Sequence, residues 1–239
     1  MNYQGFSLQT EGEAPSPVVY LNLPSKPLTG ADLRQFEDLL DQVEEGDSRT
    51  LVVLRGEKEF CLGLSFAELH TSLDKAERTV SLAEKTLRTF SKLANPKLAL
   101  ITGTCRGWGA TLALGCDFCL MHRQAQLIWD ELAHGLTPGI ATWLLPQLVG
   151  LGRARRILLS GQPLTADEAL SLGIAFALFE EDGDASAQIK TTAEYVKQLS
   201  PTAFQATRKL LREAWGSNYT DFVGTCLASQ AMCLSHLNS

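Results

Sequence analysis

The sequence predicts an α/β protein, and three observations carry that reading. Val18 to Leu23, Leu51 to Leu54 and Leu98 to Ile101 are short apolar runs of the length a buried strand needs. Between them lie longer stretches whose apolar residues recur every three or four positions, the spacing of one helix face. The resulting order of strand, helix, strand, helix, strand calls for parallel pairing with right-handed crossovers.

Length and composition agree with that class. A chain of 239 residues can bury a substantial core as one large domain or two small ones. It is 45% apolar and 20% charged, an ordinary globular composition. The net charge of −6 argues against a nucleic-acid partner, which selects a basic surface. No apolar run approaches the ~20 residues that span a bilayer, so no membrane insertion is expected. The first residues, MNYQGFSLQTEGEAPSP, lack the basic and apolar blocks of a signal peptide. Among the six cysteines, Cys116 and Cys119 form a CxxC-like pair, but no second pair or histidine follows at ligand distance, and no metal is expected. Cysteines within apolar runs read as buried thiols in a reducing cytoplasm.

Taken in order, Val18 to Leu23 is a strand stopped by Pro24 and Pro27. Thr29 or Gly30 opens a helix to about Glu45, with Leu33, Phe36, Leu39, Leu40 and Val43 on one face. Leu51 to Leu54 has the unbroken apolar character of a strand covered on both faces. A loop carrying Gly63 leads into a short helix near Ser65 to His70, and Lys75 to Ala94 forms a long amphipathic helix. Further on, Arg153 to Ser160 reads as helical. Thr165-Ala-Asp-Glu168 fits a capping box that opens another helix, and Ile174 to Phe179 is a last strand. Helices are expected over about 185–199, 201–215 and 219–237. The organisation is therefore an α/β core over residues 1–184 and a helical C-terminal region over 185–239.

The segment Lys97 to Glu131 is where chemistry concentrates. Its strand runs into Gly103, Gly107 and Gly109, then an apolar helix, a second strand near Phe118 to Met121, and a turn that delivers Glu131. Glycines between a strand and a helix let backbone pass close to a ligand, and the free N–H groups at a helix start favour negative charge. Glu131 beside such a turn is either an acid able to move a proton or a capping and salt-bridging residue.

These stretches resemble the crotonase family, the enoyl-CoA hydratase/isomerase superfamily. The resemblance rests on Leu51-Val-Val-Leu-Arg-Gly with Phe60-Cys-Leu-Gly-Leu-Ser, on Lys97 to Asp117, on Ala125 to Gly139 and on Leu148 to Leu178. It covers about residues 17 to 235. It implies a crotonase-like spiral of ββα and βαβ repeats with a helical C-terminal trimerisation region, assembled as a homotrimer or hexamer. The implied substrate is an acyl-CoA or acyl-carrier-protein thioester from fatty acid or polyketide metabolism. Coenzyme A or phosphopantetheine enters only as part of that substrate, with no separate cofactor. The shared chemistry holds a thioester enolate with two backbone N–H groups, and preorganised donors in a dry site are the strongest stabiliser of such charge.

By position, the resemblance assigns these donors to Leu64, inside Leu62-Gly63-Leu64-Ser65, and to Trp108, inside Gly107-Trp108-Gly109. Both are bulkier than the family's usual small residues, and Trp108 either packs on a neighbouring helix or walls the acyl site. Family hydratases use two glutamates. Glu131 matches the second, but Thr111 stands at the first, and a threonine is no carboxylate base near neutral pH. A single carboxylate suits a one-base proton shuttle, as in family isomerases that move a 3-enoyl double bond to the 2-enoyl position. Hydration or dehydration, decarboxylation, and a non-catalytic partner in a biosynthetic complex stay open as alternatives. His70 stands one or two turns past Leu64, His134 three residues past Glu131, and Lys26 where family members hold the coenzyme A nucleotide. Each also reads as an ordinary surface or packing residue.

Overall fold

The apolar runs do pair as parallel strands in the computed structural model, which describes residues 5–12, 17–214 and 216. β1 (Ser7–Glu11) lies antiparallel on β2 (Val18–Asn22) at the sheet edge. The chain continues through α1 (Gly30–Glu44), β3 (Leu51–Arg55), α2 (Phe66–Leu69), α3 (Leu73–Lys92) and β4 (Lys97–Ile101). After β5 (Thr104–Arg106) come α4 (Trp108–Leu114), β6 (Phe118–His122), β7 (Gln126–Ile128) and a 3₁₀ turn at Glu131–His134. Then follow α5 (Ala141–Val149), α6 (Leu151–Ser160), β8 (Leu164–Thr165), α7 (Ala166–Ser171), β9 (Ala177–Phe179), α8 (Asp182–Gln198) and α9 (Pro201–Glu213). The main sheet has the order β1-β2-β3-β4-β6-β9, parallel from β2 onward. A second sheet, β5-β7-β8, pairs β5 with β7 in parallel and β7 with β8 antiparallel.

Strand alternation explains the continuous apolar runs. Val52 and Leu54 of β3 point into one core cluster with Phe36, Phe90 and Trp108, while Leu51 and Val53 point into the opposite cluster with Tyr20, Leu98 and Phe179. A strand covered on both faces has no polar side to alternate. α1 buries Leu33, Phe36, Leu40 and Val43, and Thr29 caps it in a reciprocal box with Asp32. The box read at Thr165 is formed with Glu168.

The structure differs from the sequence reading in several places. β9 starts at Ala177, because Ile174 and Ala175 both donate to the Ala169 carbonyl and Phe176 donates to Cys119. α6 begins two residues early, at Leu151 after the positive-φ Gly150. α8 begins at Asp182, three residues before the expected start at 185, since Asp182 and Asp184 in a first turn favour a helix start. The whole second sheet escaped sequence reading: its strands are two or three residues long.

Two compact units divide the chain, one running to Ala193 and the other beginning at Glu194. In the first, Ala185, Ile189 and Ala193 of α8 pack in the same cluster as β2, β3 and β4. In the second, Ser200 caps α9, with Pro201 in its first turn. The helix expected over 219–237 lies outside the described residues. No described helix is long and apolar enough to cross a membrane.

Candidate active site

Two backbone segments meet at the centre of the first unit. The chain from Phe60 to Ser65 is stitched on one side to β5, where Phe60 donates to Thr104 at 3.0 Å and Arg106 donates to Cys61 at 2.9 Å. On the other side Leu28 donates to Gly63 and Ser65 donates to Leu28, both at 2.8 Å. Gly63 takes φ +74°, and a Cβ there would stand 2.9 Å from the Arg106 carbonyl. The next turn is tighter still. Gly107 takes φ 54° and ψ −118°, a region open only to glycine, and its N–H is fixed to Ile128 at 2.8 Å. Gly109 lies on Cys61, whose Sγ would be 2.7 Å from an added Cβ. The backbone N–H groups of Leu64 and Trp108 have no acceptor among the described residues.

A cavity of about 160 Å³ opens beside these two turns. Leu64, Gly107, Trp108 and Glu131 line it, with Val80, Ala83, Glu84 and Leu87 of α3 as another wall. Glu131 begins the 3₁₀ turn, and its Oε1 would lie 2.9 Å from a Cβ on Gly107. Its Oε2 is buried without a partner among the described residues. Burial pushes the carboxyl up to about 7, a tendency that its own backbone N–H and Arg106 oppose and the neighbouring Asp130 charge reinforces. Asp130 is itself turned away: it takes a two-pronged bond from Arg106, with Nε to Oδ1 at 2.8 Å. So of these two neighbours it is Glu131 that faces the cavity, poised to hold or release a proton near neutral pH.

The enoyl-CoA hydratase/isomerase family profile matches residues 24–225. The chain belongs to this family. Crotonyl-CoA hydratase of Syntrophomonas wolfei is 26% identical over 243 residues, covering 96% of this chain and 92% of that protein. The 1,2-epoxyphenylacetyl-CoA isomerase of Escherichia coli is 29% identical over 173 residues, 70% of this chain and 63% of that protein. The crystal structure of an enoyl-CoA hydratase/isomerase from Cupriavidus metallidurans superposes with a TM-score of 0.86 at 24% identity, covering 98% of this chain and 90% of that one, and shows the crotonase fold.

Within this family frame, the structure sorts the sequence candidates. Leu62, Gly63, Leu64, Gly107, Trp108, Thr111 and Glu131 all line the one cavity. Trp108 packs on neighbouring helices, with its ring edge-on against Phe36 and its Nε1 donating to the Ala83 carbonyl of α3 at 3.0 Å, and it also lines the cavity. Thr111 is committed to packing. Its hydroxyl donates to the Gly107 carbonyl at 3.0 Å and accepts from the Trp129 indole at 3.2 Å. His134 stacks on Phe66 with ring centres 3.9 Å apart and lies 3.2 Å from Arg106, outside the cavity lining. His70 ends α2 at the surface, and Lys26 pairs with Asp32 at 2.8 Å; neither lines the cavity.

Sequence reasoning missed Arg106 and Glu84. The first is held by Asp130, a pairing that only the adjacency of β5 and β7 creates. Glu84 sits on the stripe Val80, Ala83, Leu87 of α3, where an acid among apolar positions was the available signal. Among the described residues, no three histidine, cysteine or acidic side chains converge as metal ligands would.

Proposed function

We propose that the protein moves the double bond of an enoyl thioester from the 3- to the 2-position, with Glu131 as acid–base. The Glu131 carboxylate removes a proton from C2, the electron pair passes into a dienolate whose oxygen accepts the N–H groups of Leu64 and Trp108, and a proton returned to C4 leaves the 2-enoyl thioester. The observation that carries this reading is the buried, unpartnered Glu131 oxygen beside the Gly107–Trp108 turn. A carboxyl held near 7 exchanges a proton at either step without a large energetic mismatch. Two free N–H groups are the donors an enolate oxygen needs. The commitment of Thr111 to Gly107 and Trp129 disfavours the two-glutamate hydration of the family pattern.

The cavity is comparable to the ~150 Å³ that accepts a benzene ring, which supports a short or compact acyl group carried on coenzyme A. The exposed apolar residues Trp143, Leu151, Leu159 and Phe176 support assembly as a trimer or hexamer. Cys61, Cys105 and Cys119 are free, buried thiols, which fits a reducing cytoplasm.

The test is a panel of 3-enoyl, 2-enoyl and malonyl-type thioesters on coenzyme A and on carrier protein, followed by absorbance and mass spectrometry. The expected result is double-bond migration on a 3-enoyl-CoA, lost in Glu131→Gln. Water addition without migration would replace this reading with a hydratase. Binding without turnover across the panel would replace it with a non-catalytic partner.

A further inference from the structure

Resting on the isomerase reading, we infer that Glu84 is a second catalytic acid–base, protonating C4 while Glu131 works at C2. The cavity is lined by only three charged side chains among the described residues: Glu131, Arg106 and Glu84. Arg106 is occupied by Asp130. Glu84 therefore remains as the one other carboxyl in that lining, and the hydroxyls there, Thr111 and Thr137, are far weaker acids.

Its surroundings favour the protonated form over what an exposed carboxyl would show. Three of the four cavity-facing positions on α3, Val80, Ala83 and Leu87, are apolar, and Glu84 is the fourth. Its Oε2 is buried with no hydrogen-bond partner. The Ile140 N–H is the backbone group directed at the carboxyl, and burial outweighs it, raising the proton affinity. A carboxyl kept in such a place without an ion-pair partner costs stability that an apolar residue would avoid. Position is also fixed. The Trp108 indole binds the Ala83 carbonyl, so the α3 turn bearing Glu84 is tied to the residue whose N–H faces the enolate oxygen. Over the carboxyl lies the backbone at Gly139, where an added Cβ would come within 2.4 Å of Oε1.

In the two-acid cycle Glu131 takes a proton from C2 and Glu84 gives one to C4. The product leaves with Glu131 protonated and Glu84 ionised, and water returns one proton to Glu84 and takes one from Glu131, so the balance closes.

The experiment follows hydrogen isotopes in a 3-enoyl-CoA for wild type, Glu84→Gln and Glu131→Gln. The amide introduced by Glu84→Gln keeps an oxygen that can accept from the Ile140 N–H, so a purely structural role survives the change. In D₂O, Glu84→Gln should lose isomerisation by about 10²-fold or more while still exchanging deuterium into C2 of recovered substrate. Continued exchange also reports that the variant is folded. Glu131→Gln should lose both. Wild type acting on substrate deuterated at C2, in H₂O, should deliver no deuterium to C4. Direct transfer of that label to C4, or isomerisation by Glu84→Gln within about threefold of wild type, overturns the assignment and leaves the isomerase reading intact. Absence of both exchange and migration in wild type overturns that reading and this inference with it.

Discussion

Replacing Glu131 with glutamine should make the protein more stable relative to wild type as pH rises. Folding carries this carboxyl from an ordinary 4.5 up to about 7 through burial. Below pH 4.5 the group is protonated in folded and unfolded chains alike and contributes nothing. Between 4.5 and 7 the unfolded chain has released the proton and the folded one has not, so stability falls as pH rises, and above 7 the loss is complete. The shift is 7 − 4.5 = 2.5, which at 1.36 kcal/mol per unit is about 3 kcal/mol. Partial exposure reduces this, and an unpaired buried amide in the variant costs about 1–3 kcal/mol at every pH. The pH dependence is therefore the cleaner quantity. Between pH 5 and pH 8 the advantage of Glu131→Gln should increase by up to (7 − 5) × 1.36, about 3 kcal/mol. For a chain of this size that is a relative Tm gain of about 6–12 °C. Thermal unfolding of both proteins across that pH range measures it, with every other titrating group common to the two. A Tm difference that is flat from pH 5 to pH 8 would refute the claim that Glu131 is held protonated by its surroundings.

The remaining predictions concern the residues around it. On the proposed reaction, kcat/KM should rise with pH through about 7, as Glu131 must be ionised to accept the C2 proton. Because the Asp130 charge helps to raise Glu131, Asp130→Asn should move that midpoint to lower pH in the same rate assay. Gly107→Ala should cost about 1–3 kcal/mol from backbone strain alone and abolish turnover, since the new Cβ would meet the Glu131 carboxylate at 2.9 Å; melting curves and activity read the two effects separately. Thr111→Glu, which restores the family residue, should not create a hydratase. It should lower stability by about 3 kcal/mol or more through overpacking and an added buried acid, measured by denaturant unfolding and by water addition to a 2-enoyl-CoA.

Much of the fold was legible because its strands are buried on both faces and its helices carry one apolar stripe. Leu51 to Leu54 and Leu98 to Ile101 need no partner in sequence to be recognised as strands. The capping box at Thr165 likewise declares its helix locally. By contrast Thr104–Arg106 and Gln126–Ile128 become strands only by pairing with each other, and no local pattern announces three residues. The site divides along the same line. Glycine turns and the acid at 131 are visible in one dimension, whereas the Arg106–Asp130 fork joins residues 24 positions apart. Lys26 and His70 are near the site along the chain, yet Lys26 is drawn to the α1 cap at Asp32 and His70 to the surface.

The two departures from the family pattern at 108 and 111 belong to one packing arrangement. Thr111 bridges the Gly107 carbonyl and the fully buried Trp129 indole, while Trp108 reaches across to the Ala83 carbonyl. A glutamate on α4 at 111 would replace the hydroxyl that joins the Gly107 carbonyl to the Trp129 indole, so restoring the acid there disturbs this packing. α3, by contrast, is held against α4 by the Trp108 bond and already presents Glu84 to the same space. The α4 wall at Thr111 and the α3 wall at Glu84 are thus fastened through two indoles, Trp129 at Thr111 and Trp108 at Ala83. The chemistry this site performs should depend on α3 as much as on the glycine turns.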